Sequence, residues 1–169
     1  MSHAKNKVEW CLRKAEKELK DSDTHRGLVK VNPSKEKARE YINKADHYLK
    51  ATIYLKEGSF SDISASTVFY AMYHCLLAIA AKFGYEARNQ ECTFALINSL
   101  IEDGKIDIEK EMIDKISPLD AEESKEQTTI EVREQYQYGT SLSLKDNLYE
   151  EQLELAKKII SKTKEIIEE

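Results

Sequence analysis

Arg133, Tyr136 and Tyr138 are the residues of this chain whose types and spacing best suit the binding of a phosphorylated ligand. Arginine is permanently charged, and its planar set of N–H donors matches the oxygens of a phosphate. The two tyrosines follow closely, and their rings could stack on a base. The segment is therefore a candidate site for a nucleotide or an RNA phosphate.

Each of these residues also has a purely structural interpretation. Arg133 could pair with a carboxylate on its own helix, such as Glu126 or Glu134. Tyr136 and Tyr138 could close one end of a helical bundle, with the rings inside and the hydroxyls in water. The sequence leaves both interpretations open.

The histidines are weaker candidates. His74 lies in the most apolar segment, where it could transfer a proton or could simply be a buried ring bonded to a neighbour. Only a structure shows whether His47 approaches Arg133. Because His3, His25 and His47 share no ligand-like spacing, we predict no metal site and no cofactor.

The polar segment between two predicted helices, residues 86–91, is a further weak candidate. Arg88 could line a groove there, although no chemistry requires it. Asn89 is well placed to cap the next helix through its side-chain oxygen.

The composition predicts one water-soluble domain. The chain has 169 residues, of which 34% are charged and 41% are hydrophobic. Its net charge of −5 argues against broad, sequence-independent nucleic-acid binding, which needs many cations facing phosphates. Basic residues outnumber acidic ones within 1–57, and acidic residues outnumber basic ones within 58–169. The basic part could bind an anionic partner, or both parts could simply be solvated helix faces.

The cysteines and the apolar pattern favour a cytoplasmic protein. Cys11, Cys75 and Cys92 are odd in number and widely spaced, so we expect reduced thiols and neither a disulfide framework nor a zinc site. The N-terminus lacks the apolar core of a signal peptide. The longest apolar stretch, 67–81, is short of the roughly 20 residues that a membrane helix needs.

The elements that position these residues are delimited by five glycines and two prolines. Glycine commonly ends helices, and proline is tolerated mainly in their first turn. The breaks fall at Gly27, Pro33, Gly58, Gly84, Gly104, Pro118 and Gly139. Between them, apolar residues recur at three- and four-residue steps, which predicts helices over about 4–21, 34–58, 63–83, 90–103, 107–117, 119–138 and 145–168.

The third segment is apolar nearly all round, so we expect it to be the central helix. No stretch predicts a strand, since strict alternation is confined to residues 141–144. Short connections favour antiparallel neighbours. The sequence therefore predicts an all-α, antiparallel up-and-down bundle.

Residues 60–85 carry a distinctive order of motifs: Phe60-Ser61-Asp62, then Phe69-Tyr70-Ala71-Met72-Tyr73-His74, then Phe83-Gly84-Tyr85. A helix rich in lysine and alanine precedes them, over 35–50. This combination resembles the HEPN family, the higher eukaryote and prokaryote nucleotide-binding domains. The resemblance implies a four-to-five-helix core within residues 32–169, and residues 1–31 as an additional N-terminal helix and linker.

The family's characteristic motif is an arginine followed four to six residues later by a histidine. Arg133 matches the arginine, whereas Tyr138 occupies the histidine's place and Glu134 follows the arginine. A tyrosine titrates near pH ~10 and is a poor general base at neutral pH. The resemblance thus implies a non-catalytic module. The alternative is a metal-independent endoribonuclease in which Arg133 acts with another group, such as His47 or His74.

The resemblance also implies partners. HEPN domains usually form homodimers with their motif regions facing each other. They are often paired with a minimal nucleotidyltransferase in toxin–antitoxin or defence systems. Some such enzymes transfer AMP to tyrosines near the motif, which makes Tyr136 and Tyr138 candidate acceptors.

Overall fold

The computed structural model describes residues 1–119 and 126–169. Over these ranges the chain forms seven helices and two short strands, and the all-α fold class is confirmed. The elements are α1 (His3–Asp21), β1 (Leu28–Lys30), α2 (Lys35–Glu57), α3 (Ser61–Lys82), β2 (Tyr85–Ala87), α4 (Gln90–Glu102), α5 (Lys110–Ile116), α6 (Thr129–Tyr138) and α7 (Asp146–Glu168).

The core is built around α3, as its apolar character predicts. This helix contacts α2, α4, α6 and α7, so it has neighbours on most sides. It has 22 residues, close to the predicted 63–83, and extends beyond the apolar stretch 67–81, so by length and composition alone it could cross a membrane. In the fold, however, 61% of its most apolar window is buried by the rest of the protein.

Helix starts follow from side chains that accept a backbone N–H bond. Ser2, Ser34, Asn89 and Thr128 cap α1, α2, α4 and α6 in this way. The cap predicted at Asn89 is confirmed, since its side-chain oxygen accepts from Cys92 N at 3.0 Å. At Thr128 a reciprocal bond is also present, because Thr128 N donates to Glu131 Oε2. These two bonds fix the start of the helix that carries Arg133.

Two helices are shorter than their sequence patterns predicted. The helix expected over 119–138 begins at Thr129 in the structure, and residues 120–125 of that expectation lie outside the described residues. The capping box at Thr128 explains this start. α5 begins at Lys110 instead of near 107, although Ile106 and Ile108 are buried just before it.

The prediction that no strand is present was wrong. β1 and β2 pair antiparallel, with Leu28 opposite Ala87. Strands of three residues are too short to show alternation, so their sequence carries no signal. Gly84 leads into β2 with φ +80°, and a Cβ there would lie 2.7 Å from Val31 O. Glycine is therefore required for this close approach.

The expectation of three reduced thiols was wrong for Cys11 and Cys92. These residues form a disulfide between α1 and α4. Their Cα atoms are 5.9 Å apart, and their sequence separation is 81. Both are fully buried. Cys75 remains a free thiol inside the core, where burial raises its pKa to about 12.

Candidate functional site

Helix α6 sets the position of the candidate residues. Its buried side, Val132 and Tyr136, packs with Ala65 of α3 and with residues of α7 in a small apolar cluster. Arg133 follows Val132 by one position, so it projects to the side of this buried face. There it meets Phe69 of α3.

The side chain of Arg133 lies against an aromatic ring of α3. Its Cζ is 4.4 Å from the centroid of the Phe69 ring, a cation–π distance. Its Nε is buried and makes no hydrogen bond to the residues that the structure describes. In the described ranges, 1–119 and 126–169, no ion pair joins this guanidinium to Glu134, whereas Glu126 makes an interaction of its own and its predicted pairing with Arg133 stays a prediction. Glu134 itself is exposed.

The two tyrosines of α6 have different environments. Tyr136 is 7% exposed and packs with Leu144, Tyr149 and Leu153, so its ring belongs to the core. Tyr138 is 79% exposed, at the last position of the helix. The structure therefore separates these neighbours into a packing residue and an accessible phenol.

His47 and Arg88 lie at the surface, and the structure does not bring them to Arg133. His47 is on an exposed position of α2. Arg88 follows β2, and its Nε is 3.0 Å from a carboxylate oxygen of Glu86. The pairing with Glu86 gives Arg88 a structural role at the end of the strand.

His74 contacts α2, on another side of α3 from Arg133. Its ring stacks on Tyr48 with centroids 5.1 Å apart. Its Nδ1 is 2.7 Å from Tyr70 O, so Nδ1 carries the hydrogen and donates it. Burial lowers the pKa of His74, although the bond to Tyr70 opposes the shift. The ring is therefore neutral at pH 7, and its Nε2 is a hydrogen-bond acceptor.

His74 belongs to a group that sequence reasoning missed, which we call the tyrosine–histidine cluster: Tyr41, Tyr48, Tyr70 and His74. The ring centroids of Tyr48 and Tyr70 are 5.7 Å apart, and those of Tyr41 and His74 are 6.1 Å apart. All four side chains are half-buried. The helical spacings 41–48 and 70–74 place each pair on one face of its helix, and this was the available signal.

The family comparison agrees with this architecture. The family model described as HEPN domain matches residues 38–169, which is most of the chain. The chain belongs to the HEPN family. The match begins within α2, so α1 and β1 of this HEPN protein lie outside the matched region. A search of curated proteins found no match.

The chemistry of the candidate site depends on the residues around Arg133. Arginine carries a permanent charge, and its buried Nε has no acceptor among the described residues. Its helix, α6, contains no histidine, and Tyr138 ends this helix as an exposed phenol. Helix α6 thus presents an arginine and an exposed tyrosine without a histidine between them.

Proposed function

We propose that this HEPN protein is a non-catalytic module that binds a nucleotide or RNA phosphate through Arg133. The observation that carries the proposal is the half-buried guanidinium on Phe69, whose Nε has no acceptor among residues 1–119 and 126–169. A buried donor left without a partner costs about 1–3 kcal/mol, and a bound anion would remove this cost. Charge-assisted bonds from arginine to phosphate are also strong and directional.

The absence of a nearby base favours binding over RNA cleavage. Cleavage without a metal needs a group that exchanges a proton near neutral pH. His74 is engaged with Tyr48 and Tyr70, and His47 is on the exposed side of α2. Neither has a described contact with Arg133 or Phe69.

The accessible surface near the motif supports a homodimer as the working form. Tyr138 and Leu142 are 79% and 81% exposed, which is unusual for large apolar side chains. Their loop is held in place because Leu144 N donates to Ser61 Oγ at 2.9 Å. An ordered, apolar surface of this kind suits a self-complementary contact between two copies.

In the separate protomer, before this contact forms, Tyr138 is also suited to modification by a minimal nucleotidyltransferase partner, within a toxin–antitoxin or defence system. Its oxygen would attack the α-phosphate of a nucleoside triphosphate held by that enzyme. The new P–O bond forms as the bond to pyrophosphate breaks, and the phenol proton passes to a base of the enzyme. The exposure of Tyr138 and the burial of Tyr136 make Tyr138 the better acceptor.

Binding of ATP and of a fluorescent single-stranded RNA tests the proposal. We expect Arg133→Ala to weaken RNA binding at least tenfold, because a charge-assisted contact is worth about 1.5–3 kcal/mol. Arg133→Lys should retain part of the RNA-binding affinity, since lysine keeps the charge but lacks the planar set of donors. Arg88→Ala is the matched control, because Arg88 is already paired with Glu86.

Two results would contradict the proposal. If Arg133→Ala bound ATP and RNA as tightly as the wild-type protein, Arg133 would not be part of the binding site. Cleavage of the RNA by the wild-type protein in the presence of a metal chelator, abolished in Arg133→Ala, would establish the endoribonuclease alternative.

A further inference from the structure

The tyrosine–histidine cluster forms a half-open aromatic surface between α2 and α3. On α3, the half-buried positions Ser66, Tyr70, His74 and Leu77 follow one another at three- and four-residue steps. They therefore share one stripe of the central helix that the other helices leave partly uncovered. Tyr41 and Tyr48 of α2 flank that stripe through their contacts with His74.

Cations lie over the outer rings of this surface. Lys37 Nζ is 5.6 Å from the centroid of Tyr41, and Lys44 Nζ is 5.5 Å from that of Tyr48. Both lysines are at exposed positions, and Lys37 Nζ also donates to Glu40 Oε2 at 2.7 Å, so a bound anion would compete with this exposed carboxylate for Lys37. An aromatic surface bordered by mobile cations is the arrangement that single-stranded nucleic acids use, with bases on the rings and phosphates on the lysines.

His74 adds a directional group to the surface. Because its Nδ1–H is used by Tyr70 O, its Nε2 presents a lone pair. No described contact satisfies this acceptor, and it lies among rings that would hold a planar ligand in place. The exocyclic amino group of adenine, cytosine or guanine is a donor of matching size and planarity.

The cluster is linked to Arg133 by ring packing through Phe69, which is fully buried. Phe69, which carries the guanidinium, makes an edge contact with Tyr70 at 5.2 Å between centroids. Tyr70 in turn contacts Tyr48, which stacks on His74. Arg133 and the cluster therefore lie on different sides of α3, and an RNA strand that reaches both would place its phosphate and its base on these two sides.

We infer that the tyrosine–histidine cluster is a nucleobase site, selective for a base with an exocyclic amino group that donates to His74 Nε2. This inference rests on the proposed function, because it assigns a base of the same RNA strand whose phosphate Arg133 binds. Lys37 and Lys44 contact the phosphates next to that base.

The test compares three single-stranded RNAs of equal length and charge in fluorescence anisotropy: oligoadenylate, the same strand with purine riboside in place of adenosine, and an abasic strand. The wild-type protein should bind oligoadenylate about fivefold more tightly than the amine-free strand, as expected for one hydrogen bond. The abasic strand should bind at least tenfold more weakly than oligoadenylate, because stacking is lost.

His74→Phe is the decisive variant, because it keeps a ring against Tyr48 and removes the acceptor. It should still bind RNA, yet lose the preference for adenosine over purine riboside. Tyr54→Leu is the matched control, since Tyr54 is an exposed tyrosine of α2 with no ring contact to the cluster. Circular dichroism of each variant confirms that the fold is retained.

The outcomes separate the two proposals. Equal binding of the three strands by the wild-type protein, together with a loss of binding in Arg133→Ala, overturns the base site and leaves the phosphate site standing. Retention of the adenosine preference in His74→Phe also overturns the base site. Absence of binding to every strand overturns both.

Discussion

The Cζ atom of Arg133 lies 4.4 Å from the centroid of the Phe69 ring, so the candidate phosphate-binding residue is supported by the central helix. The ring face attracts the cation and holds it where it can meet an anion. We therefore expect Phe69→Leu to weaken RNA binding about three- to fivefold, the equivalent of ~0.5–1 kcal/mol for a cation–π contact.

Because Phe69 is fully buried, this variant will also lower the stability of the fold. Binding must be measured where chemical denaturation shows that both proteins are folded. Leu76→Met, a change at another fully buried position of α3, is the control for a general loss of packing. Equal effects of the two variants on RNA binding would argue against a specific role of the ring.

The disulfide between Cys11 and Cys92 should be chemically detectable. In denaturant without reductant, a thiol reagent should titrate one cysteine per chain, Cys75, and three after reduction. In the folded protein Cys75 should react slowly, because burial raises its pKa to about 12 and excludes the reagent. Three reactive thiols in unreduced, denatured protein would show that the bond does not form.

The same bond should stabilise the fold through its long loop. Cys11→Ser is expected to lower the free energy of unfolding by about 2–5 kcal/mol, the usual range for removal of a native disulfide. Reduction of the wild-type protein should have a similar effect and should add little to that of Cys11→Ser. A stability unaffected by either change would mean that packing alone holds α1 on α4.

A second contact between distant parts of the chain predicts a pH dependence. Gly27 N donates to His25 Nδ1, so His25 Nε2 carries the hydrogen bonded to Glu86 at 2.9 Å. This bond, helped by the charge of Arg88, holds the pKa of Glu86 below its ordinary value. A carboxyl with a lowered pKa stabilises the fold above its unfolded pKa of ~4.3, and this contribution is lost as pH falls through the folded pKa.

Urea unfolding of Glu86→Gln against the wild type measures this contribution. The wild-type protein should be the more stable at pH 6, and the difference should shrink below about pH 4. Glu16→Gln, at an exposed position of α1, is the control and should give a pH-independent difference close to zero. If the difference in free energy of unfolding between the wild type and Glu86→Gln stayed constant from pH 6 to pH 3, titration of Glu86 would not contribute to stability.

The surface near Tyr138 should determine the oligomeric state. We expect the wild-type protein to be a dimer in light scattering and Leu142→Glu to shift it towards monomer, because a buried unpaired carboxylate opposes association. Leu19→Glu, at an exposed leucine of α1, should leave the dimer intact. A wild-type protein that is monomeric at micromolar concentration, with and without nucleotide, would refute this part of the proposal.

The sequence by itself determined the helical architecture and the family. Gly58, Gly84 and Pro33 mark real element ends, and the apolar character of α3 correctly predicted the central helix. Such features are local, since capping, backbone freedom and helical periodicity act between residues a few positions apart. They are therefore visible in a single sequence.

The tertiary structure alone decided which distant groups meet. The bond between Cys11 and Cys92, the pairing of β1 with β2, and the placement of Arg133 on Phe69 all join residues far apart in the chain. The spacing within each helix shows which side chains share a face, but it does not show which helix that face will meet. The packing of α1 on α4 and of α6 on α3 supplied that information, because it depends on the shapes of all the helices together.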